Sequence, residues 1–401
     1  MGLPRNWEYI FVLLLAIYYG YYQWNTGVPE DFQKRLKVLP DDFVRSQPAM
    51  NKNFAYVQYA TDLTYLQLSI DNLVSLERPR GDLVVVYNER LQETSEFINI
   101  NRKAQMFGII LKPVPLLTNN EDNIWHESFT KLHIFNLDYD RIVFFDADSM
   151  LINVDKNLIN KPTNMNELFN IPWEIDIAMP QAYWLSDQQL AHKYPVEPRS
   201  LLSTKHKFDN RRSFFASHVI VLKPNKVIYQ ELLNYVYNPW WWVIFHRSKL
   251  RKSTDFDMEV VNKFIDDNLH SGDFHFGILD HRIYGVLTGE FKEQWHSKFL
   301  SDPELLPYSN HRSNDGWDSF KIIENVKLIH FSDEPIPKPW IPLDNSAHYN
   351  TFKIYCRSGD MQTYHETYPV NKPRLVEDCD SVEIWEWLRQ HFEVRINDRK
   401  D

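Results

Sequence analysis

Leu83–Tyr87 reads LVVVY, an unbroken apolar run, and no other stretch of the chain limits its fold as tightly. A strand with one face in water alternates apolar and polar residues, so an unbroken run marks a strand buried on both faces. Phe54–Tyr59 and Arg141–Phe145 (RIVFF) read as further strands, with Gly108–Leu111 as another. Helical stretches over Asp62–Glu77, Glu93–Phe107 and Ile124–Asn136 lie between them. The order βαβαβαβ predicts an α/β domain with a mostly parallel central sheet and helices on both faces. Further on, Ile175–Met179, Val219–Lys223 and Val326–His330 read as strands and Met258–Asn268 as a helix. Val382–Phe392 reads as a helix with Ile384, Trp385 and Leu388 on one face, suited to covering a core.

Composition removes several ways of using such a sheet. The chain has 11 glycines in 401 residues, about 3% against a usual 7% or so. No two of them form a G-x-G, so the dinucleotide fingerprint is absent. Gly272 and Gly277 have phosphate-loop spacing, but Ile278 and Leu279 follow where Lys and Ser or Thr are required. Any nucleotide is therefore held without a glycine-rich cradle. The net charge is −10 and no basic stripe is present, which speaks against a nucleic-acid partner.

The N-terminal segment Trp7–Trp24, WEYIFVLLLAIYYGYYQW, is apolar with aromatic ends. Its 18 residues span ~27 Å as a helix at ~1.5 Å each, close to a thin secretory-pathway bilayer. Trp7 and Tyr9 at one end, and Tyr21, Tyr22 and Trp24 at the other, have the character of interfacial belts. The bulky end carries no small-residue cleavage pattern. We therefore expect an uncleaved signal-anchor over 7–24, a cytoplasmic tail over 1–6, a stem over 25–50, a catalytic domain over 51–345 and a C-terminal extension over 346–401. That topology is single-pass type II, with the domain on the lumenal side. Cys356 and Cys379 are either two free thiols or a disulfide closing a loop of roughly 24 residues, worth on the order of 3 kcal/mol.

Chemistry concentrates where the RIVFF strand ends, in Asp146-Ala-Asp148. Residues i and i+2 of an extended chain point the same way, so both carboxylates project together beyond the strand's C-terminal end. Ligands of open α/β sheets bind there. Two adjacent carboxylates repel unless a cation lies between them, and oxygen ligands suit Mg²⁺ or Mn²⁺, which would bridge diphosphate oxygens. Haloacid-dehalogenase-type phosphohydrolases also begin from a hydrophobic strand and Asp-x-Asp. Gly and Thr are wanted soon after the second Asp in those enzymes, and Ser149 and Met150 stand there.

A combination of motifs resembles the glycogenin-like transferases of glycosyltransferase family 8, over roughly Phe54 to Trp340. These are FAYVQYATDLTY at 54–65, Thr130-Lys131-Leu132, YDRIVFFDADSMLINVD at 139–155, Val326-Lys-Leu-Ile-His330-Phe331 and Lys338-Pro339-Trp340. Within that family the anchor, NKNFAYVQYATD at 51–62 and FDMEVVNKF at 256–264 are similar to fungal Golgi α-1,4-N-acetylglucosaminyltransferases that decorate mannan side chains. The resemblance implies a single Rossmann-like nucleotide-diphospho-sugar domain of GT-A type. It also implies a retaining, Mn²⁺-dependent enzyme (Mg²⁺ is an alternative), with a UDP-sugar donor and a mannose-containing acceptor in the Golgi. UDP-glucose or UDP-galactose remains an alternative donor. The phosphohydrolase, and a membrane-anchored glycan-binding protein without activity, remain alternatives of other classes.

By the same resemblance Asp146, Asp148 and His330 would bind the metal, and Lys338 would contact the diphosphate. Thr61, Asp62 and Tyr65 match the turn around uridine, with Tyr65 placed to stack on uracil. Lys131 would face the donor, and Asp257 would line the sugar site while also suiting a helix N-cap. Glu259 lies two residues beyond. Ala216-Ser217-His218 stands where the family has Asn-Ser-Gly, so Ser217 is carried over while the neighbouring sugar contacts are not. Met258 replaces Gln, Asp333 replaces Gly, and two extra residues precede Lys338. These departures argue against glucose and self-glucosylation, and glycogenin's glucosylated tyrosine has no clear equivalent.

Overall fold

A computed structural model describes residues 12–18, 36–39, 52–118, 126–152, 163–185, 215–246, 251, 255–271, 273–291, 318–332, 338–340, 350–356, 361–366, 374–376, 383–384 and 387–392. Its strands are β1 Leu36–Val38, β2 Phe54–Ala60, β3 Asp82–Asn88, β4 Ile110–Val114, β5 Arg141–Phe145, β6 Ser149–Leu151, β7 Ile177–Pro180, β8 Val219–Leu222, β9 Phe276–Leu279, β10 Val286–Leu287 and β11 Leu328–His330. Three more, β12 Asn350–Cys356, β13 Met361–Glu366 and β14 Arg374–Val376, form a small sheet of their own. The helices are α1 Leu63–Val74, α2 Phe97–Met106, α3 Lys226–Tyr237, α4 Trp240–His246, α5 Asp257–Ser271, α6 His281–Tyr284 and α7 Ser319–Asn325.

The central sheet has eight strands in the order β1-β9-β7-β8-β5-β2-β3-β4. All of its pairings are parallel except those of β8 with β5 and β7. The expected mostly parallel sheet is present, with one reversed strand that continuous apolar runs do not reveal. Successive residues of β2 face opposite ways. Ala55, Val57 and Tyr59 join a core with Phe129, Leu132, Leu232 and Phe264 on one side. Phe54, Tyr56 and Ala60 join another with Leu66, Ile70 and Leu73 of α1 on the other. Burial on both faces explains the unbroken apolar runs.

Helix boundaries follow local capping chemistry. Asp62 caps α1, its carboxylate accepting from the Tyr65 N–H at 2.9 Å. The helix expected over 93–107 starts later, at Phe97, after a 3₁₀ turn over Glu89–Glu93 that Asn88 caps. It ends at Gly108, whose φ of +67° suits the left-handed closing position. The strand expected at 108–111 accordingly begins at Ile110. His126–Asn136 is 3₁₀ rather than α-helical. Gly81, at φ +112°, is required for a second reason: a Cβ there would meet the Phe54 carbonyl oxygen at 2.3 Å.

The strand expected at 326–330 is outside the central sheet. It is β11, paired in parallel with β10 and antiparallel with β6. This small sheet packs with Ile384, Leu388 and Phe392; Trp385, expected on the same helix face, lies outside the described residues. Of the expected anchor over 7–24, residues 12–18 are described as helical, and Val12, Leu13, Leu14, Leu15, Ile17 and Tyr18 are between 50% and 65% exposed. Among the described residues no helix is long and apolar enough to cross a membrane. Cys379 and Asp333 lie outside the described residues.

Arg141 opens β5 and is almost fully buried, at 1% exposure. Its guanidinium donates to the carbonyls of Phe169 (3.1 Å), Ile171 and Pro172 (3.2 Å) and lies 4.5 Å from the Trp173 ring. Burial pushes its pKa down to about 10, against the nearby Asp176 and Glu174. Replacing it strands those carbonyls in the interior. Arg141→Leu should therefore cost about 3 kcal/mol, seen as a drop of about 5 °C or more in the thermal unfolding midpoint. A midpoint within 1 °C or so of wild type would contradict this.

Candidate active site

The parallel strands β2 and β5, paired from Phe54 with Arg141 to Val57 with Phe144, both end at the same edge of the sheet, at Ala60 and Phe145. Their next residues therefore share one edge: Thr61 and Asp62 after β2, Asp146 after β5. Because β8 runs the other way, Phe145 pairs with Val219, the first residue of β8, and Ser217 and His218 arrive at the same edge from the opposite direction. The Asp146 N–H donates to the His218 carbonyl at 2.9 Å. Asp148 ends a tight turn closed by the Ser149 N–H on the Asp146 carbonyl at 3.1 Å.

The small sheet then delivers His330. In its register His330 lies opposite Ser149, and the Phe331 N–H donates to the Asp148 carbonyl at 2.9 Å. His330 Nε2 stands 3.1 Å from Asp148 Oδ1 and 3.8 Å from Asp146 Oδ2. One ligand atom from each of Asp146, Asp148 and His330 falls within 4.8 Å of the others, so the three can hold a metal ion. Two carboxylates and an imidazole suit a divalent first-row cation.

Lysines flank the triad. Lys338 Nζ lies 2.6 Å from Asp148 Oδ2, and Lys131 Nζ lies 3.1 Å from Asp146 Oδ1 and 2.8 Å from Asp257 Oδ2. Burial works against every charge here, and the ion pairs outweigh it. Lys131 and then His330 hold Asp146 below its ordinary range, and His330 and Lys338 hold Asp148 well below it. Asp148 and Asp146 push His330 up to about 9. Asp146 with Asp257 raises Lys131, and Asp148 raises Lys338. His218 goes the other way: burial and the neighbouring His330 charge push it down to about 3, so it is neutral.

The site has two unlike halves. Around Asp146 the groups are polar: Ser217 Oγ donates to Asp257 Oδ2 at 2.7 Å, and Lys131 joins both aspartates. Asn262 of α5 clasps the backbone of Phe215, accepting from its N–H and donating to its carbonyl, both at 2.8 Å, which fixes Ser217 against Asp257. Around Asp148 the groups are aromatic. Tyr65 and Trp340 meet edge to face at 6.0 Å, Lys338 Nζ is 5.2 Å from the Trp340 ring, and burial followed by Asp148 raises the Tyr65 phenol. Thr61 and Asp62 lie at the rim, where the Thr61 hydroxyl reaches the Asp62 carboxylate at 3.4 Å.

All ten residues singled out in the sequence thus lie at or beside one edge of the sheet. One detail differs from expectation. Asp257 is the first residue of α5 rather than its N-cap, and its carboxylate turns to Ser217 and Lys131. Glu259 instead serves the helix end, accepting from the Phe256 N–H at 2.9 Å. Supporting residues were missed. Asn72 Nδ2 donates to the carbonyls of both Ala147 and Ser149 at 2.9 Å, and Gln58 Nε2 donates to the Asp146 carbonyl at 3.2 Å. Each left a signal: Gln58 is the one amide inside an apolar strand, and Asn72 sits between Ile70 and Leu73 on the buried face of α1.

No protein-family model matches the chain. A protein named Glucose N-acetyltransferase 1 from Candida albicans is 40% identical, the match covering 98% of this chain and 96% of that one. Its namesake from Debaryomyces hansenii is also 40% identical, over 98% and 97%. A third, from Gibberella zeae, is 29% identical over 82% and 63%. Among solved structures, a galactosyltransferase in complex with donor and acceptor sugar analogues is 13% identical at a TM-score of 0.40, covering 71% of this chain and 89% of its own. Mouse xyloside xylosyltransferase 1 is 14% identical at 0.39, covering 71% and 100%. At these TM-scores the likeness is loose.

Asn72 holds the Asp146–Asp148 turn through two carbonyls, so the metal-binding geometry depends on it. Groups that orient metal ligands typically contribute about 10–100-fold in metal affinity. Asn72→Ala should weaken Mn²⁺ binding by about tenfold or more in an electron-spin-resonance titration, with the circular dichroism spectrum kept. Unchanged affinity would mean that Asn72 only fills the core.

Proposed function

The chain belongs to the glucose N-acetyltransferase family and is a glycosyltransferase; from that premise we propose that it moves N-acetylglucosamine from UDP-N-acetylglucosamine to a mannose-containing glycan, with retention at the anomeric carbon. Family membership sets aside the phosphohydrolase and the inactive glycan-binding protein. What carries the finer reading is the junction of Asp146, Asp148, His330 and Lys338 between an aromatic half and a polar half. A nucleoside diphospho-sugar has that same sequence of parts: a flat base, a doubly charged linker and a hydroxylated ring.

In this reading the domain is of GT-A type, and Tyr65, with Thr61 and Asp62 beside it, receives the uridine. When held by Asp146, Asp148 and His330, a divalent cation, Mn²⁺ in preference to Mg²⁺ because one ligand is nitrogen, neutralises the diphosphate. Lys338 adds a second positive charge on the leaving-group side, where charge develops as the glycosidic bond breaks. Asp257, fixed by Ser217 and Lys131, accepts hydrogen bonds from sugar hydroxyls near the anomeric centre. Lys131 orients the two carboxylates it joins, and so couples the metal ligand to the sugar side.

The proposed setting is the Golgi membrane, single-pass type II, with the catalytic domain lumenal. The apolar, exposed helical residues Val12–Tyr18 inside an 18-residue aromatic-ended segment support an anchor there.

Full-length protein in detergent, given UDP-N-acetylglucosamine, Mn²⁺ and a mannooligosaccharide, should release UDP and lengthen the acceptor. Chelation should abolish turnover, and Asp146→Ala should lower kcat/KM by about 100-fold or more. Lys338→Met should lower kcat by about 100-fold while KM moves little, because its charge acts on the departing diphosphate. Full activity in Asp146→Ala, or no turnover of any UDP-sugar, would refute the reading.

A further inference from the structure

His218 takes no part in the chemistry assigned so far, yet it borders the triad. It is 5% exposed, and its Nε2 has no hydrogen-bond partner among the described residues. Its ring centroid lies 5.0 Å from that of His330 and 5.8 Å from that of Trp184. Its carbonyl is bonded to the Asp146 N–H, which places it in the polar half of the site. A second orphan lies close by in the fold. Gln181 is 2% exposed, its Oε1 is unpartnered among the described residues, and it bridges to Phe215, two residues before Ser217. A buried polar atom without a partner is destabilising, and at a binding site a ligand group is its natural complement.

Sugar hydroxyls are already served by Ser217, Asp257 and Lys131. Of the atoms left without a partner among the described residues, His218 Nε2 is the one whose ring lies against an indole, that of Trp184, so a hydrogen-bonding atom stands there beside an apolar wall. An acetamido group has that pairing: one amide dipole and one methyl. Glucose, with a hydroxyl at the same carbon, has nothing to place against the indole. We propose that His218 Nε2, backed by Trp184, receives the 2-acetamido group of the donor and is the residue that selects N-acetylglucosamine over glucose. In the Nε2–H tautomer the imidazole donates to the acetamido carbonyl while the methyl packs on the indole. This assignment rests on the reading that the donor is a UDP-sugar.

The test is the dissociation constant of UDP, UDP-glucose and UDP-N-acetylglucosamine, each with Mn²⁺, on full-length wild type, His218→Ala and His218→Gln. Wild type should favour UDP-N-acetylglucosamine over UDP-glucose. His218→Ala should weaken UDP-N-acetylglucosamine by about tenfold, while UDP and UDP-glucose move less than about twofold. His218→Gln retains an amide donor and should recover part of the loss. Equal weakening of all three ligands in both variants, or an unchanged preference, overturns the assignment and leaves the donor reading standing. Wild type that binds none of the three overturns both.

Discussion

Two carboxylates held side by side at the end of a buried strand repel each other, and the arrangement of the site answers that repulsion. Asp146 and Asp148 can stay ionised there only if positive charge is brought to them. The fold brings it from separate places: Lys131 from a 3₁₀ segment, His330 from a strand of the small sheet and Lys338 from beyond it. Asp257, from the start of α5, then shares Lys131 with Asp146. Carboxylates and cationic groups thus alternate across the edge of the sheet, and Asp146, Asp148, Lys131, His330 and Lys338 are held in their charged forms by their neighbours despite burial. Because these partners come from widely separated parts of the chain, the charged cluster also ties the small sheet to the large one.

How far this was legible in the sequence depended on range. The strand-ending aspartates follow from local rules, since an apolar run fixes the strand and an i, i+2 spacing fixes a shared direction. The same holds for Asp62, a cap just before an apolar-periodic helix. The place of His330 is different. It depends on β11 pairing with β6 in one register, and β11 reads only as an apolar strand that could equally have joined the central sheet. The resemblance of His330-Phe331 and Lys338-Pro339-Trp340 to a family pattern supplied what periodicity could not. Asp257 mixes the two. Its place just before an apolar-periodic run suits a cap, the resemblance put the same residue at the sugar site, and the contacts with Lys131 and Ser217 show where its carboxylate turns.

Polar residues inside apolar elements proved to be the underused signal. Gln58 in β2, Asn72 in α1 and Arg141 in β5 each interrupt a pattern that would otherwise be plain core. Burying an amide or guanidinium is unfavourable unless backbone carbonyls receive its hydrogens. In all three cases they do, and the carbonyls lie in the turn between β5 and β6 or at its edge, and along the chain at 169–172. Gln58 and Asn72 hold the Asp146–Asp148 turn, and Arg141 holds the chain at 169–172. Such residues replace, with side-chain donors, the backbone pairing that a loop lacks.

The reversed strand β8 has the largest consequence for chemistry. In a wholly parallel sheet every strand delivers to the ligand edge the residues that follow it. An antiparallel strand delivers the residues that precede it. Ser217 and His218 therefore reach the site from the N-terminal side of an apolar run, where a reading based on strand ends does not look. This entry also sets their backbone against that of Asp146, through the Asp146 N–H to the His218 carbonyl, so the side chain at 218 cannot avoid bordering the triad. The histidine sets a neutral ring 5.0 Å from that of His330, with an Nε2 that has no partner among the described residues. In a chain this poor in glycine, the polar half of the site is thus bordered by a side chain where the resemblance would put bare backbone, which is why the proposed selection of the donor falls on position 218.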